Sequence, residues 1–341
     1  MTAIERLATG YFASVMATGI VSVALFLQGD RPLSWVFFAV AIALYVFLCV
    51  AYVGRVWLFP RRVWADLTDA RQVFGYLTFV AGTDVLGTRF AFAKHYDIAL
   101  GLGLVGVVSW VTLTYFILVF LLLYNQEPIE RVINGSWLIT IVSCESLAAL
   151  GSALADFLPR YQVWLLFVAY AFWSLGVIIY LIFIAMIMYR FFFFTVTARD
   201  LRPPYWINMG AMAITTLAGS RLVLYAHAPD FLVFIRPFVE GFTIMLWVWG
   251  SWWIPFLILI GIWKYGVFRE RIAYDPSLWS IVFPLGMYTV ACETMSGIRG
   301  LHIVRWLVPG FLWIAVTAWS AVAALFVWTW IRQRRPLFAR G

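Results

Sequence analysis

Ten stretches of this chain run for 18 to 36 residues with no more than three charges in any of them: 10–27, 33–59, 73–90, 98–124, 131–155, 162–194, 203–225, 231–266, 276–296 and 303–331. Runs of that length settle the solvent before they settle the fold, because about 20 mostly apolar residues in a helix cover about 30 Å of hydrocarbon. Only 12% of the 341 residues are charged and 64% are hydrophobic, whereas a soluble domain carries about 25% charged residues. No single soluble core could hide so much apolar surface. Lipid offers no partner to an unpaired backbone group, so a spanning segment is either a helix or a strand of a closed barrel. Barrel strands would read as alternating segments of about 10 residues, and these runs are long and do not alternate. The chain therefore reads as an all-α polytopic membrane protein, with residues 1–341 forming one domain of ten transmembrane helices. Helix starts are signalled by Asp97 before the fourth run, Pro203-Pro204 at the seventh and Asp275-Pro276 at the ninth. Residues 10–27 follow no basic region and precede no small-residue cleavage pattern, so they read as a retained helix.

The net charge of +8 says most through its placement. With the N-terminus in the cytoplasm, the cytoplasmic segments carry Arg6, Arg55, Arg61, Arg62, Arg71, Arg131, Arg190, Arg199, Arg202, Lys264, Arg269, Arg271, Arg332, Arg334, Arg335 and Arg340, and the opposite side holds the other 8 of the 24 basic residues. Positive loops stay in the cytoplasm, so both termini are expected there. No soluble basic domain is present to bind nucleic acid. Cys49, Cys144 and Cys292 lie inside apolar runs, and His95, His227 and His302 are scattered, so neither a disulfide framework nor a metal or other cofactor is expected.

The runs also alternate in kind. The five odd-numbered runs hold 14 Phe, Tyr and Trp and 24 Ser, Thr, Asn, Asp and Glu, and the five even-numbered ones hold 43 and 11. Helices around a polar path need small and hydroxyl side chains, while lipid-facing helices accept bulky rings. The alternation predicts five helical hairpins around a central pore, with odd helices inside and even helices outside. Asp84, Glu145 and Glu293 fall within odd runs, where an ionisable group usually faces the bundle interior or water, although pairing with Arg89, Arg221 or Arg299 would serve equally. Pro284 sits inside the ninth run and is expected to kink it.

Four segments, GYFASVMATGIVS at 10–22, NGSWLITIVSCESLAALG at 134–151, PPYWINMGAMAITTLAG at 203–219 and WSIVFPLGMYTVA at 279–291, resemble in order the tellurite-resistance/dicarboxylate transporter family. That family takes in bacterial tellurite-resistance proteins, yeast-type malate and sulfite transporters and plant guard-cell slow anion channels. The resemblance implies a homotrimer in a cell membrane, here a bacterial inner membrane, with a pore in each protomer lined by five kinked inner helices. It also implies a phenylalanine gate, which the Trp-x-x-x-Phe-Pro pattern assigns to Phe283. Candidate path residues on the odd runs are Phe12, Met16, Thr18, Phe79, Thr140, Ser143, Glu145, Met212, Thr289 and Glu293.

The expected function is transport of a small anion such as a C4-dicarboxylate, sulfite, chloride, nitrate or a tellurite-related oxyanion. Carboxylates beside an anion path are electrostatically awkward; in neutral form they would donate hydrogen bonds to the anion or relay a proton. A proton-coupled carrier for C4-dicarboxylates is therefore the main alternative. A membrane-embedded enzyme is the weaker reading, because no convergent catalytic set is visible.

Overall fold

The computed structural model describes residues 4–198 and 200–332 in full and the helical backbone on to Phe338. Arg199, Arg334, Arg335 and Arg340 of the charge count lie outside the described side chains. The described residues form helices and turns, with no strand among them. In chain order the helices are α1 (Ala13–Leu27), α2 (Arg31–Leu58), α3 (Pro60–Leu67), α4 (Thr78–Phe92), α5 (Tyr96–Tyr124), α6 (Ile129–Val132), α7 (Ile139–Ala155), α8 (Gln162–Phe193), α9 (Ile207–Leu224), α10 (Asp230–Ile262), α11 (Trp279–Met295) and α12 (Leu307–Phe338).

Among the described residues seven helical stretches are long and apolar enough to cross a membrane: α2, α5, α7, α8, α9, α10 and α12, several of them counted with the turns that flank them. The helices α1, α4 and α11 have 15, 15 and 17 residues, which at 1.5 Å per residue is about 23 to 26 Å. The shorter helices lie inside and the longer ones outside. In α7 and α9, 94% and 89% of the apolar window is buried, against 17–33% in the five long helices; α1, α4 and α11 are buried along nearly their whole length. The outer helices turn bulky apolar groups such as Trp57, Phe234 and Trp313 outward, a surface that only an apolar solvent or another chain can cover.

Contacts among the buried helices close a circuit, since α1 packs on α4, α4 on α7, α7 on α9, α9 on α11, and α11 back on α1. Each of them also packs on the long helix that follows it, namely α2, α5, α8, α10 or α12. Such close packing needs small residues at the contacts. A methyl group on Gly210 of α9 would stand 2.8 Å from Cγ of Pro284 on α11, so the proline ring occupies the space that a side chain at 210 would need.

The helix starts depart in part from the sequence reading. Asp97 lies within the first turn of α5 and the capping position falls to His95, whose side chain makes no cap. Asp275 accepts a hydrogen bond of 2.8 Å from the backbone N–H of Ser277, opening a 3-10 turn, Pro276–Leu278, that leads into α11. Three other buried helices begin the same way: Val73–Leu77 leads into α4, Gly135–Leu138 into α7 and Pro203–Trp206 into α9. The 60–71 connection is partly helical, with α3 held against α2 by the Arg55–Asp66 ion pair at 2.6 Å.

Candidate functional site

Two cavities lie at opposite ends of the ring of buried helices. The larger, about 500 Å³, is bordered by the residues that lead into those helices, including Gly10, Gly75, Gly135, Pro204 and Pro276, and by the first turns at Thr78, Ile139 and Ser280. The smaller, about 110 Å³, is bordered by all five helices towards their C-terminal ends: Ile20, Val23 and Leu27 of α1; Val85, Thr88 and Phe92 of α4; Ser146 and Ala149 of α7; Ile214, Leu217 and Arg221 of α9; and Met287, Val290 and Thr294 of α11. We call them the vestibule and the chamber.

The bordering positions recur at helical spacing, which fixes the face that each helix turns to the axis. On α11 the sequence is Ser280 in the vestibule and Met287, Val290 and Thr294 in the chamber. Three residues on from Ser280 and four before Met287 stands Phe283, on the same stripe between the two cavities and 1% exposed. Extending the other stripes by one turn from the chamber brings Met16, Ala81, Val142 and Gly210 to the same level.

The remaining sequence candidates are placed elsewhere. Phe12 and Phe79 pack edge to face at 5.0 Å between ring centroids, with Tyr45 of α2 against both. The Thr18 hydroxyl donates to the Ser14 carbonyl at 2.7 Å and accepts from the indole N–H of Trp319 at 2.9 Å, so it faces α12. Met212 points at α10, where a methyl on Gly250 would lie 2.7 Å from its Cβ. Thr140 is buried with its hydroxyl unpartnered, Ser143 donates to the Thr140 carbonyl, and Thr289 donates to the Leu285 carbonyl from the side of α11 away from the stripe. Glu293 is bound to Arg305 at 3.2 Å and to Gln28 at 3.0 Å.

The two fully buried carboxyl groups also point away from the axis. Glu145 lies against Gly176 of α8, where a methyl would meet its Cδ at 3.0 Å. Its two oxygens make no hydrogen bond; the Thr215 hydroxyl faces it but donates to the Ala211 carbonyl. Asp84 lies against Gly106 of α5 in the same manner, with a methyl there 3.1 Å from its Cγ, and accepts from Ser146 at 2.6 Å. Both carboxyls thus fill a notch that a glycine leaves in the outer helix of the same pair.

Arginines border both cavities. Arg71, Arg131, Arg190 and Arg202 border the vestibule together with Asp69, Asp200 and Asp275, and the N-terminal ends of the buried helices, where unpaired backbone N–H groups carry partial positive charge, point into it. Arg190 is tied to the Ile133 carbonyl at 2.7 Å and to Asp200 at 3.0 Å. Partial burial pushes the Asp200 carboxyl up, but the Thr197 hydroxyl and backbone N–H and the Arg190 guanidinium outweigh it and leave the group below its ordinary range. Arg221 borders the chamber. The sequence offers Arg221 as a possible partner for a carboxylate; its spacing of seven from Ile214 puts the two on one face of α9, and both border the chamber. Among the described residues no group of three His, Cys, Asp or Glu could hold a metal ion.

Comparison with known proteins places this arrangement in context. The family described as voltage-dependent anion channel matches residues 6–327. An uncharacterized membrane protein of Mycobacterium tuberculosis is 38% identical over 136 residues, which cover 40% of this chain and 68% of that protein. An uncharacterized transporter of Methanocaldococcus jannaschii is 24% identical over 93% of this chain and 92% of its own. A sulfite efflux pump of Arthroderma otae is 24% identical over 96% of this chain and 91% of its own.

Proposed function

Because the chain belongs to the voltage-dependent anion channel family, we propose that it carries a small anion across a cytoplasmic membrane along the axis of its five buried helices, past a gate formed by Phe283. The spacing of Phe283 supports this reading: it stands three residues after Ser280, which borders the vestibule, and four before Met287, which borders the chamber, and it is buried. A ring in a narrow path blocks passage sterically and excludes water, so a charged solute would lose hydration there without gaining a partner.

On this reading the short buried helices cross the membrane as the long ones do. They are sheathed by protein and open onto a water-filled vestibule at one end, so they need not span the full hydrocarbon thickness as helix. Ten crossings then pair as five hairpins, both termini lie in the cytoplasm, and the vestibule is the cytoplasmic mouth. Its arginines and helix N-termini would concentrate anions there. Assembly as a homotrimer follows the family resemblance. The sulfite efflux pump among the relatives makes a sulfite-type oxyanion a candidate substrate beside chloride, nitrate and C4-dicarboxylates.

The test is anion flux into liposomes containing the purified protein, with and without a pH gradient. Phe283→Ala raises flux per folded protein well above wild type, and Phe172→Ala on α8 does not. If Phe283 only packs, the substitution lowers stability and leaves flux unchanged or reduced, and the gate assignment fails. One observation favours a proton-coupled carrier as the second reading: the buried Asp84 is a single hydrogen bond from the chamber through Ser146. Uptake that requires the pH gradient would select that reading.

A further inference from the structure

The chamber has four polar side chains on its wall, Thr88, Ser146, Arg221 and Thr294, and their hydrogen bonds determine what they offer a solute. Thr88 donates its hydroxyl proton to the Asp84 carbonyl at 3.0 Å and Thr294 donates to the Val290 carbonyl at 2.9 Å. Ser146 has both an Asp84 oxygen at 2.6 Å and the Ser143 carbonyl at 2.8 Å to donate to. All three hydroxyls therefore present lone pairs to the chamber, which repel an anion.

Arg221 is different. Its Nε donates to the Ser152 hydroxyl at 3.2 Å and its Nη2 to Asp156 at 2.8 Å, while Nη1 donates to no protein acceptor among the described residues. A guanidinium has five N–H donors, so the geometry leaves it with protons to give. Asp156, its counter-ion, does not border the chamber. The pair is asymmetric, with the cation facing the path and the carboxylate behind it.

We propose that Arg221 is the anion-binding group of the chamber and that Asp156 attenuates it, which fits the chamber to a small monovalent anion such as chloride, nitrate or hydrogensulfite and not to a C4-dicarboxylate. A monoanion meets one cation already shared with Asp156. A dianion would bring a second charge with no cation of its own, beside a wall whose Ser146 is backed by Asp84 and whose Thr294 follows Glu293, already paired with Arg305. Burying that charge unpaired is costly. This inference rests on the axial path proposed above and names the substrate class and the residue that recognises it.

The experiment measures flux of chloride, nitrate, hydrogensulfite and succinate by wild type, Arg221→Gln and Asp156→Asn in liposomes, normalised to folded protein. The variants have opposite signs. Arg221→Gln lowers monovalent flux at low anion concentration about tenfold, the scale of one charge-assisted hydrogen bond, and Asp156→Asn raises it by releasing the guanidinium. A purely structural ion pair would give a loss in both, and that result overturns the inference, as does an unchanged Arg221→Gln or a wild type that carries succinate as fast as nitrate. A wild type that carries no anion at all refutes the path itself and is thereby distinguished. Should Arg221→Gln fail to fold, Asp156→Asn decides alone: increased flux supports the assignment, and unchanged or reduced flux removes it.

Discussion

Replacing Gly176 by alanine would put a methyl group where the Glu145 side chain already lies. The added carbon would stand 3.0 Å from Cδ and 3.2 Å from Cγ, with the Oε1 oxygen nearer still. Glu145 is 0% exposed, so the carboxyl has no solvent to swing into, and inserting volume into such a site costs about 1–3 kcal/mol. Against this, alanine in the middle of a helix is favoured over glycine by about 1 kcal/mol. The net in the wild-type background is a destabilisation of up to about 2 kcal/mol. In a Glu145→Ala background the obstacle is gone and only the propensity gain remains, so the same substitution stabilises by up to about 1 kcal/mol. The sign therefore inverts between backgrounds, with a coupling of about 1–3 kcal/mol. Reversible unfolding in mixed micelles on the four proteins of the cycle measures it. Equal effects of Gly176→Ala in both backgrounds would refute the notch reading and place Glu145 elsewhere, including on the path where the sequence put it.

Two further outcomes follow from facing and from charge. In a background lacking Cys49, Cys144 and Cys292, single cysteines at Ser280 and Met287 react with a small polar thiol reagent faster than cysteines at Met212 and Thr289; equal rates would mean that the stripe on α11 is misassigned. The lowered Asp200 carboxyl gives its contacts with Thr197 and Arg190 a stability that is fully present above the unfolded carboxyl value of about 3.9 and is lost as pH falls through the lower folded one. Protection of the Thr197 amide, taken relative to the free-peptide exchange rate at each pH, falls from about pH 4 downward in wild type, and in Asp200→Asn it is already lost at neutral pH. A protection factor that does not change with pH in wild type would remove this assignment.

Much of the architecture was legible because composition distinguishes environments. The 14 aromatic residues of the odd runs against 43 in the even ones record which helices must fit side by side and which must present apolar bulk. The alternation holds at the level of individual helices: α9, with Gly210, Thr215 and Thr216, is enclosed, and α10, with Phe234 and Trp252, is half exposed. The facing of side chains within the buried helices was not legible. A helix on a surface announces its inward face by amphipathic periodicity, but α9 and α11 are surrounded on all sides and carry no such signal. Hydroxyl residues were therefore no guide to the path: Thr18 serves Trp319 and Thr289 serves its own helix. Nothing in the sequence pairs Gly210 with Pro284, whose ring fills the space that a side chain at 210 would need.

The sequence by itself determined the solvent, the helical class and the division of helices into enclosed and exposed, since each follows from the number and kind of apolar residues in a run. Tertiary structure decided rotation and partnership. It packed the Pro284 ring into the space beside Gly210, sent Asp84 and Glu145 outward into glycine notches, and brought Arg221 to the border of the chamber with Asp156 as its ion-pair partner. The physical reason is that a transfer free energy depends on how much of a side chain leaves water and not on direction, whereas a hydrogen bond or a close contact between helices depends on direction and on a neighbour far away in the chain. Information of the first kind is written locally, and information of the second kind exists only once the five buried helices have closed their ring.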